Sequence, residues 1–205
     1  AELLNAYRVA ADNPLPCHLL KEAPCQEVVH QEFDVRTLLP VPTHSEHDSG
    51  PYITAGLVIA KNPKTGVQNV SINRIQVNSK DRMAVLILPR HLHAFQQAAE
   101  EMNQPLPVAV VIGVDPLTLL ASQAIAPIDS DELEIAGALH GKPLDVVKCL
   151  SNDVVVPASA EIVIEGHIPP KVRELEGPFG EYPKYYSSQE KRQVIVVEIG
   201  RASCR

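Results

Sequence analysis

Tyr52-Ile53-Thr54-Ala55-Gly56-Leu57-Val58-Ile59-Ala60-Lys61 is rich in Ile, Val and Thr and stops at Asn62-Pro63-Lys64-Thr65-Gly66, a hairpin-turn sequence. Val67–Val77 follows with alternation, Val70, Ile72 and Ile75 standing among polar residues. After Asn78-Ser79-Lys80-Asp81 comes a third run, Arg82–Leu88. Three strands joined by short turns read as an antiparallel meander.

Outward from the meander, Pro89 breaks the pattern. His91–Asn103 then has helical spacing in Leu92, Phe95, Ala99 and Met102. Leu106–Gly113 reads as a buried strand. Asp115-Pro116 opens a helix that runs to about Ser122, with Asp as N-cap and Pro in the first turn. Ser130-Asp131-Glu132-Leu133-Glu134 opens another, closing near Gly141. Val146–Lys148, Val154–Val156, Ala160–Glu165 and Arg192–Ile199 complete the strands. On the other side, residues 14–51 form a proline-rich lead-in with one short strand near Glu27–Phe33. Residues 1 to about 12 have the spacing of a helix end, stopped at Asn13-Pro14. No regular βαβ alternation and no internal repeat is present. The order implies an α+β fold with an antiparallel barrel or curled sheet at its centre and short peripheral helices.

The bulk numbers fit a globular chain. It is 45% hydrophobic and 21% charged, within the ordinary range. Aromatics are 4% and Trp is absent, so the core falls to Val, Ile, Leu and Ala. The 18 prolines lie mostly between apolar runs, as expected of short elements joined by sharp loops. A net charge of −7 without a long basic run argues against nucleic acid or an anionic membrane surface as partner. No apolar run approaches the length of a membrane span. Cys17, Cys25, Cys149 and Cys204 show no Cys-x-x-Cys spacing and read as reduced thiols of a cytoplasmic protein.

Four places could carry chemistry. Glu176-Gly177-Pro178-Phe179-Gly180-Glu181-Tyr182 sets two carboxylates five residues apart around a shaped turn, either a solvated bend or an acid/base station. Alternation along Asn69-Val70-Ser71-Ile72-Asn73-Arg74 puts Asn69, Ser71 and Asn73 on one face and Val70, Ile72 and Arg74 on the other. That polar face is either a solvent face or a holder of phosphate or a metal–phosphate unit, with Arg74 as a carboxylate clamp. His91 begins a helix, and Glu132 lies in the first turn of another, either as a plain partner of the helix dipole or as a ligand; their distance in sequence from Asn69 means that spacing alone does not join the three. Amide, imidazole and carboxylate together suit Mg²⁺ or Mn²⁺. His44 and His47, in the polar loop His44–Gly50, are either a solvated pair or the start of a metal site. Gly-x-Gly-x-x-Gly, Walker and Gly-x-Ser-x-Gly signatures are absent.

Taken together, Asn69–Arg74, Leu88-Pro89-Arg90-His91, Asp131–Ala138, Val147-Lys148-Cys149 and Glu176–Glu181 resemble the UbiD family, decarboxylases that depend on prenylated FMN. The likeness runs from about residue 14 to residue 199. It implies a split β-barrel like that of FMN-binding flavin reductases. It implies Asn69, His91 and Glu132 as ligands of a divalent ion, usually Mn²⁺, that grips the cofactor phosphate. Ser71, Ile72, Asn73, Arg74, Arg90 and His91 match cofactor-contacting segments, and backbone around Ala124 to Pro127 matches a K⁺ site. Arg74, Glu176 and Glu181 match a Glu-Arg-Glu network, with Glu181 as proton donor. Asn73, Arg90 and Pro183-Lys184 depart from common family residues, which bears on substrate identity. The substrate implied is an aromatic or α,β-unsaturated carboxylic acid.

Members of that family are longer, with α/β regions before and after this stretch. The chain therefore reads as a preceding helix or linker over 1–13, a cofactor-binding and catalytic domain over 14–199, and a tail over 200–205. Apolar surface is expected to be left bare, and with it association into a homo-oligomer. The alternative is a non-catalytic FMN-binding or assembly module, inactive as a fragment.

Overall fold

A computed structural model describes residues 2–203; Ala1, Cys204 and Arg205 lie outside it, and with them the reading of Cys204 and the last two residues of the tail. The meander forms, but in five pieces. Tyr52–Ile53 (β3) and Leu57–Lys61 (β4) divide the first run, Gln68–Ile72 (β5) and Ile75–Val77 (β6) the second, and Arg82–Val85 (β7) is the third. Ahead of them come a helix, Glu2–Asp12 (α1), two short strands, His18–Leu20 (β1) and Val28–His30 (β2), and one turn of helix, Val35–Leu38 (α2). After them the chain runs His91–Glu101 (α3), Leu106–Ile112 (β8), Pro116–Ala121 (α4), Glu132–His140 (α5), Asp145–Lys148 (β9), Val155–Pro157 (β10), Ile162–Ile168 (β11), Arg173–Glu176 (β12) and Glu190–Ala202 (β13).

The capping chemistry explains the helix limits. Asp115 accepts from the N–H groups of Leu117 and Thr118, and Asp131 from that of Leu133. Gly141 closes α5 in the left-handed region at φ 71°.

The main sheet is antiparallel throughout, in the order β3-β6-β7-β13-β11-β8-β4-β5, with β2 and β12 also paired to β13. Its hydrogen-bonded path is open and does not close into a barrel. It is nevertheless strongly curled. β5 ends the path on one side and β6 lies next to the end on the other, yet only Asn73 and Arg74 separate them. A link that short spans roughly 10 Å, so the two margins of the sheet meet at a seam, and Arg74 sits in it. The Leu86 N–H donates to the Arg74 carbonyl at 3.2 Å and ties the seam to the chain beyond β7.

Both faces of the sheet are covered, and the alternation sorts the side chains. Val58, Ala60, Val108, Val110 and Ile164 pack with Leu92, Phe95 and Ala99 of α3. Leu57, Ile59, Ala109, Val111 and Val163 pack instead with Leu133, Val146, Val147 and Val156. The latter face is capped by a small sheet in which β9 pairs parallel with β1 and antiparallel with β10. A bulge in β11 between Glu165 and Gly166 lets that strand pass β13 so closely that a Cβ on Gly166 would lie 2.1 Å from the Val196 carbonyl oxygen. Among the described residues no helix is long and apolar enough to cross a membrane.

Candidate functional site

The seam carries the charged centre. Arg74 donates from Nε to Glu176 Oε1 at 2.9 Å and from Nη2 to Glu176 Oε2 at 2.8 Å, a two-pronged fork, while Nη1 donates to Glu181. One guanidinium thus serves both carboxylates of the Gly-Pro-Phe-Gly loop, and the solvated-bend reading is set aside. The two acids differ in access. The Glu176 side chain is 1% exposed and that of Glu181 is 31% exposed.

The loop earns its shape locally. Gly177 stands at φ 88°, and a Cβ there would meet the Ser188 carbonyl oxygen at 2.7 Å, so only glycine fits without displacement. Phe179 lies under the Arg74 guanidinium, 5.3 Å from Cζ to ring centre, and against the Tyr52 ring at 4.5 Å. Beyond it, the Phe179 carbonyl accepts from Ser187 N–H at 2.9 Å and the Glu181 N–H donates to the Tyr185 carbonyl at 2.8 Å, giving a short hairpin.

The polar loop His44–Gly50 turns out to be a clamp on this hairpin. Asp48 Oδ1 accepts from Gly180 N–H at 2.7 Å, its Oδ2 accepts from the N–H groups of His44 and Ser45, and Ser49 N–H donates to the Pro178 carbonyl. His44 Nε2 bonds the Tyr52 carbonyl oxygen and His47 packs on the Tyr186 ring at 5.5 Å. The solvated reading of the two histidines fits: both are exposed even while they make these contacts, and among the described residues no group of three His, Cys, Asp or Glu is placed to hold a metal.

A cavity of about 820 Å³ opens beside the seam. Asn69, Ser71, Ile72, Asn73, Arg74, Arg90, His91, Glu132 and Glu181 all line it; Glu176, sealed behind Arg74, does not. The expected opposition of Arg74 to Asn69, Ser71 and Asn73 is corrected here. β5 ends at Ile72, strand alternation stops with it, and Arg74 reaches the same cavity as the polar residues. The face they form is not a solvent face, since Asn69 is 3% exposed.

The same cavity is also lined by an amide, an imidazole and a carboxylate, Asn69, His91 and Glu132. Glu132 is buried at the start of α5, where one oxygen accepts the Val70 N–H at 2.7 Å. Burial pushes its carboxyl up to about 7, and no basic side chain is among the groups acting on it. A buried acid with a hydrogen-bonded oxygen and no neighbouring cation suits a metal ion, and Asn69 and His91 supply harder and softer partners. Ala124, Ile125 and Ala126 line the same cavity.

Tyr52, Gln76 and Asp48 were invisible in the sequence as site residues. Only Gln76 carried a signal, a polar residue between the apolar Ile75 and Val77 of one strand.

Comparison with known proteins agrees with this picture over nearly the whole chain. The sequence model of the UbiD family, the 3-octaprenyl-4-hydroxybenzoate carboxy-lyase Rift-related domain, matches residues 18–203. An anhydromevalonate phosphate decarboxylase from Methanothermobacter thermautotrophicus is 47% identical over 160 residues, 78% of this chain and 38% of that protein. A phenolic acid decarboxylase from Sedimentibacter hydroxybenzoicus is 39% identical over 184 residues, 85% of this chain and 38% of that protein. Among solved structures, an evolved dimeric form of the UbiD-class enzyme HmfF from Pelotomaculum thermopropionicum, in complex with prFMN, superposes with a TM-score of 0.96 at 51% identity, covering 98% of this chain and 48% of that one. The 3,4-dihydroxybenzoic acid decarboxylase AroY from Klebsiella pneumoniae superposes at 0.91 with 32% identity, covering 98% and 45%. The chain spans less than half the length of these relatives, and it belongs to the UbiD family of carboxy-lyases.

Proposed function

We propose that this chain forms the cofactor-holding and acid-bearing part of a non-oxidative decarboxylase acting on an aromatic or α,β-unsaturated carboxylic acid. The observation that carries the reading is one arginine shared by two carboxylates of unequal access, at the wall of a cavity large enough for a flavin ring and a small acid. Loss of CO₂ from an unsaturated carbon leaves charge that needs an electron sink. Prenylated FMN would supply that sink when bound. Asn69, His91 and Glu132 would hold a divalent ion, Mn²⁺ or Mg²⁺, against its phosphate. Ser71, Ile72, Asn73 and Arg90 would contact the cofactor, and the backbone around Ala124–Pro127 would help to hold K⁺. The curled sheet with its open seam is compatible with the split barrel of FMN-binding proteins.

The chain's own residues then divide the work. Arg74 sets a positive charge beside the departing carboxylate. Glu181, on the cavity wall, protonates the carbon from which CO₂ leaves, and its new negative charge is met by Arg74 Nη1. Glu176 faces away from the cavity and fixes the guanidinium. A non-catalytic flavin-binding or assembly role would leave this acid pair without a use. Catalysis is assigned to the whole protein, a cytoplasmic homo-oligomer in which the rest of the chain completes the site.

The test is turnover of the full-length protein loaded with prenylated FMN and Mn²⁺. Glu181→Gln should lower kcat by roughly 10²–10⁴-fold, the usual worth of a positioned acid; unchanged turnover removes Glu181 from the role. Replacing Asn69, His91 and Glu132 together by Ala should abolish Mn²⁺-dependent flavin retention, and undiminished flavin content would dismiss the metal–phosphate assignment.

A further inference from the structure

Tyr52 and Gln76 are cross-strand partners at the start of β3 and the middle of β6, both buried, Tyr52 1% exposed. The Tyr52 hydroxyl lies 2.9 Å from Gln76 Oε1 and 3.1 Å from Glu176 Oε1, and it accepts the Gly177 N–H at 3.0 Å. Gln76 Oε1 accepts that same N–H at 3.0 Å. The Tyr52 ring backs Phe179, which in turn lies under Arg74. One phenol therefore touches the end of β12, the first residue of the loop and the aromatic floor beneath the guanidinium.

We propose that Tyr52 is the positioning residue of the acid network: its oxygen accepts the Gly177 N–H, with Ser49 Oγ 3.1 Å away, and its single proton goes to Glu176, which directs Arg74 Nη1 toward Glu181. The proposal rests on the decarboxylase reading and deepens it. Glu176 Oε1 receives two donors, Arg74 Nε and Tyr52 Oη. With both in place the carboxylate is turned so that its other oxygen meets Nη2, and the remaining guanidinium edge points at Glu181. Without the hydroxyl, Glu176 is free to rotate in its pocket, and the fork follows it. Burial pushes the Tyr52 phenol up to about 12, which keeps the hydroxyl a donor over any working pH. Tyr52 acts through Glu176 and Arg74 and does not face the cavity.

The experiment compares Tyr52→Phe, Glu176→Gln and the double variant in the full-length, prenylated-FMN-loaded protein. Tyr52→Phe keeps the ring against Phe179, so the fold is retained. A hydrogen bond to a charged group is worth about a tenfold effect or more. We expect kcat to fall about 10-fold with KM within about 2-fold, on the scale of that bond. The double variant should be no slower than Glu176→Gln alone, because both changes cut the same link. Unchanged kcat in Tyr52→Phe, or losses that multiply in the double variant, overturns the proposal. A crystal structure of Tyr52→Phe reads the same point without turnover. Displacement of the Arg74–Glu176 fork supports positioning even if the wild type proves unable to decarboxylate, in which case the functional reading alone fails. An unmoved fork in an inactive protein overturns the proposal.

Discussion

Arg74→Met tests whether the fork at the seam bears a buried charge. Met keeps much of the side-chain volume and removes the guanidinium. Glu176, with 1% of its side chain exposed, then loses the 2.9 Å and 2.8 Å bonds and keeps only the Tyr52 hydroxyl at 3.1 Å among its named partners. Breaking a buried pair from one side costs about 3–5 kcal/mol, since the partner is left charged in a dry site. The Phe179 contact, at 5.3 Å near the outer reach of such pairs, adds about 0.5–1 kcal/mol. For a chain of 205 residues each kcal/mol moves the melting point by about 2–4 °C, so Tm should drop by roughly 10 °C. Thermal unfolding followed by far-ultraviolet circular dichroism measures it. The discriminating step is the same change made on Glu176→Gln. There no charge is stranded, and Arg74→Met should cost only about 1–2 kcal/mol, the scale of a neutral hydrogen bond plus the ring contact. Equal costs in both backgrounds, or a cost below about 1 kcal/mol on the native background, would refute the reasoning.

Two other outcomes follow from the geometry. Gly177→Ala forces a Cβ to within 2.7 Å of the Ser188 carbonyl oxygen at a positive φ; strain of about 1–3 kcal/mol should lower Tm, and turnover should fall because Glu176 and Glu181 flank the displaced bend. Cys25 and Cys149, buried on either side of the Arg201 guanidinium at 4.0 and 3.7 Å, have thiols pushed up chiefly by burial. The folded protein therefore holds their protons where the unfolded chain gives them up. Their contribution to stability is complete below the ordinary thiol value of about 8.5 and is lost as pH rises past it. Both should resist iodoacetamide at pH 8 until urea unfolds the chain, and rapid alkylation of the native protein would contradict their burial.

What could be read from sequence was whatever short-range rules determine. Asp115-Pro116 and Asp131 mark their helices through side chains that cap the very next turn, and Gly141 ends one through its own backbone. Leu106–Ile112 is legible as an unbroken apolar run because both faces of that strand are covered. Arg173–Glu176 escaped notice for the opposite reason: its Arg-Glu-Leu-Glu sequence carries no apolar periodicity, and Leu175 is exposed. β1 escaped because it is a three-residue strand defined only by pairing with β9, more than a hundred residues away. The break at Asn73-Arg74 was likewise hidden. Val67–Val77 alternates well enough for one strand, and only the curl of the whole sheet requires that it be two. Arg74, Glu176 and Glu181 were grouped by family likeness; the three-way bonding that joins them depends on contacts about a hundred residues apart, which no local pattern encodes.

The charge inventory around the cavity ties its two ends together. Arg74 and Arg90 bring two guanidinium groups, while Glu132, Glu181 and the sealed Glu176 bring three carboxylates, one of them held near neutrality by burial. Arg74 already pairs with two acids, so the charge it presents to an arriving carboxylate is shared with Glu176 and Glu181. A cavity that must receive both a substrate carboxylate and a flavin phosphate would be short of cations if the protein acted alone. The divalent ion proposed for Asn69, His91 and Glu132 would correct that shortage, and binding it would draw Glu132 to its charged form. On that proposal Arg74 would be left to the seam, where it holds Glu176 fixed and meets Glu181 beside the substrate. The unequal exposure of Glu176 and Glu181 on one shared guanidinium is what allows two identical functional groups to take different roles.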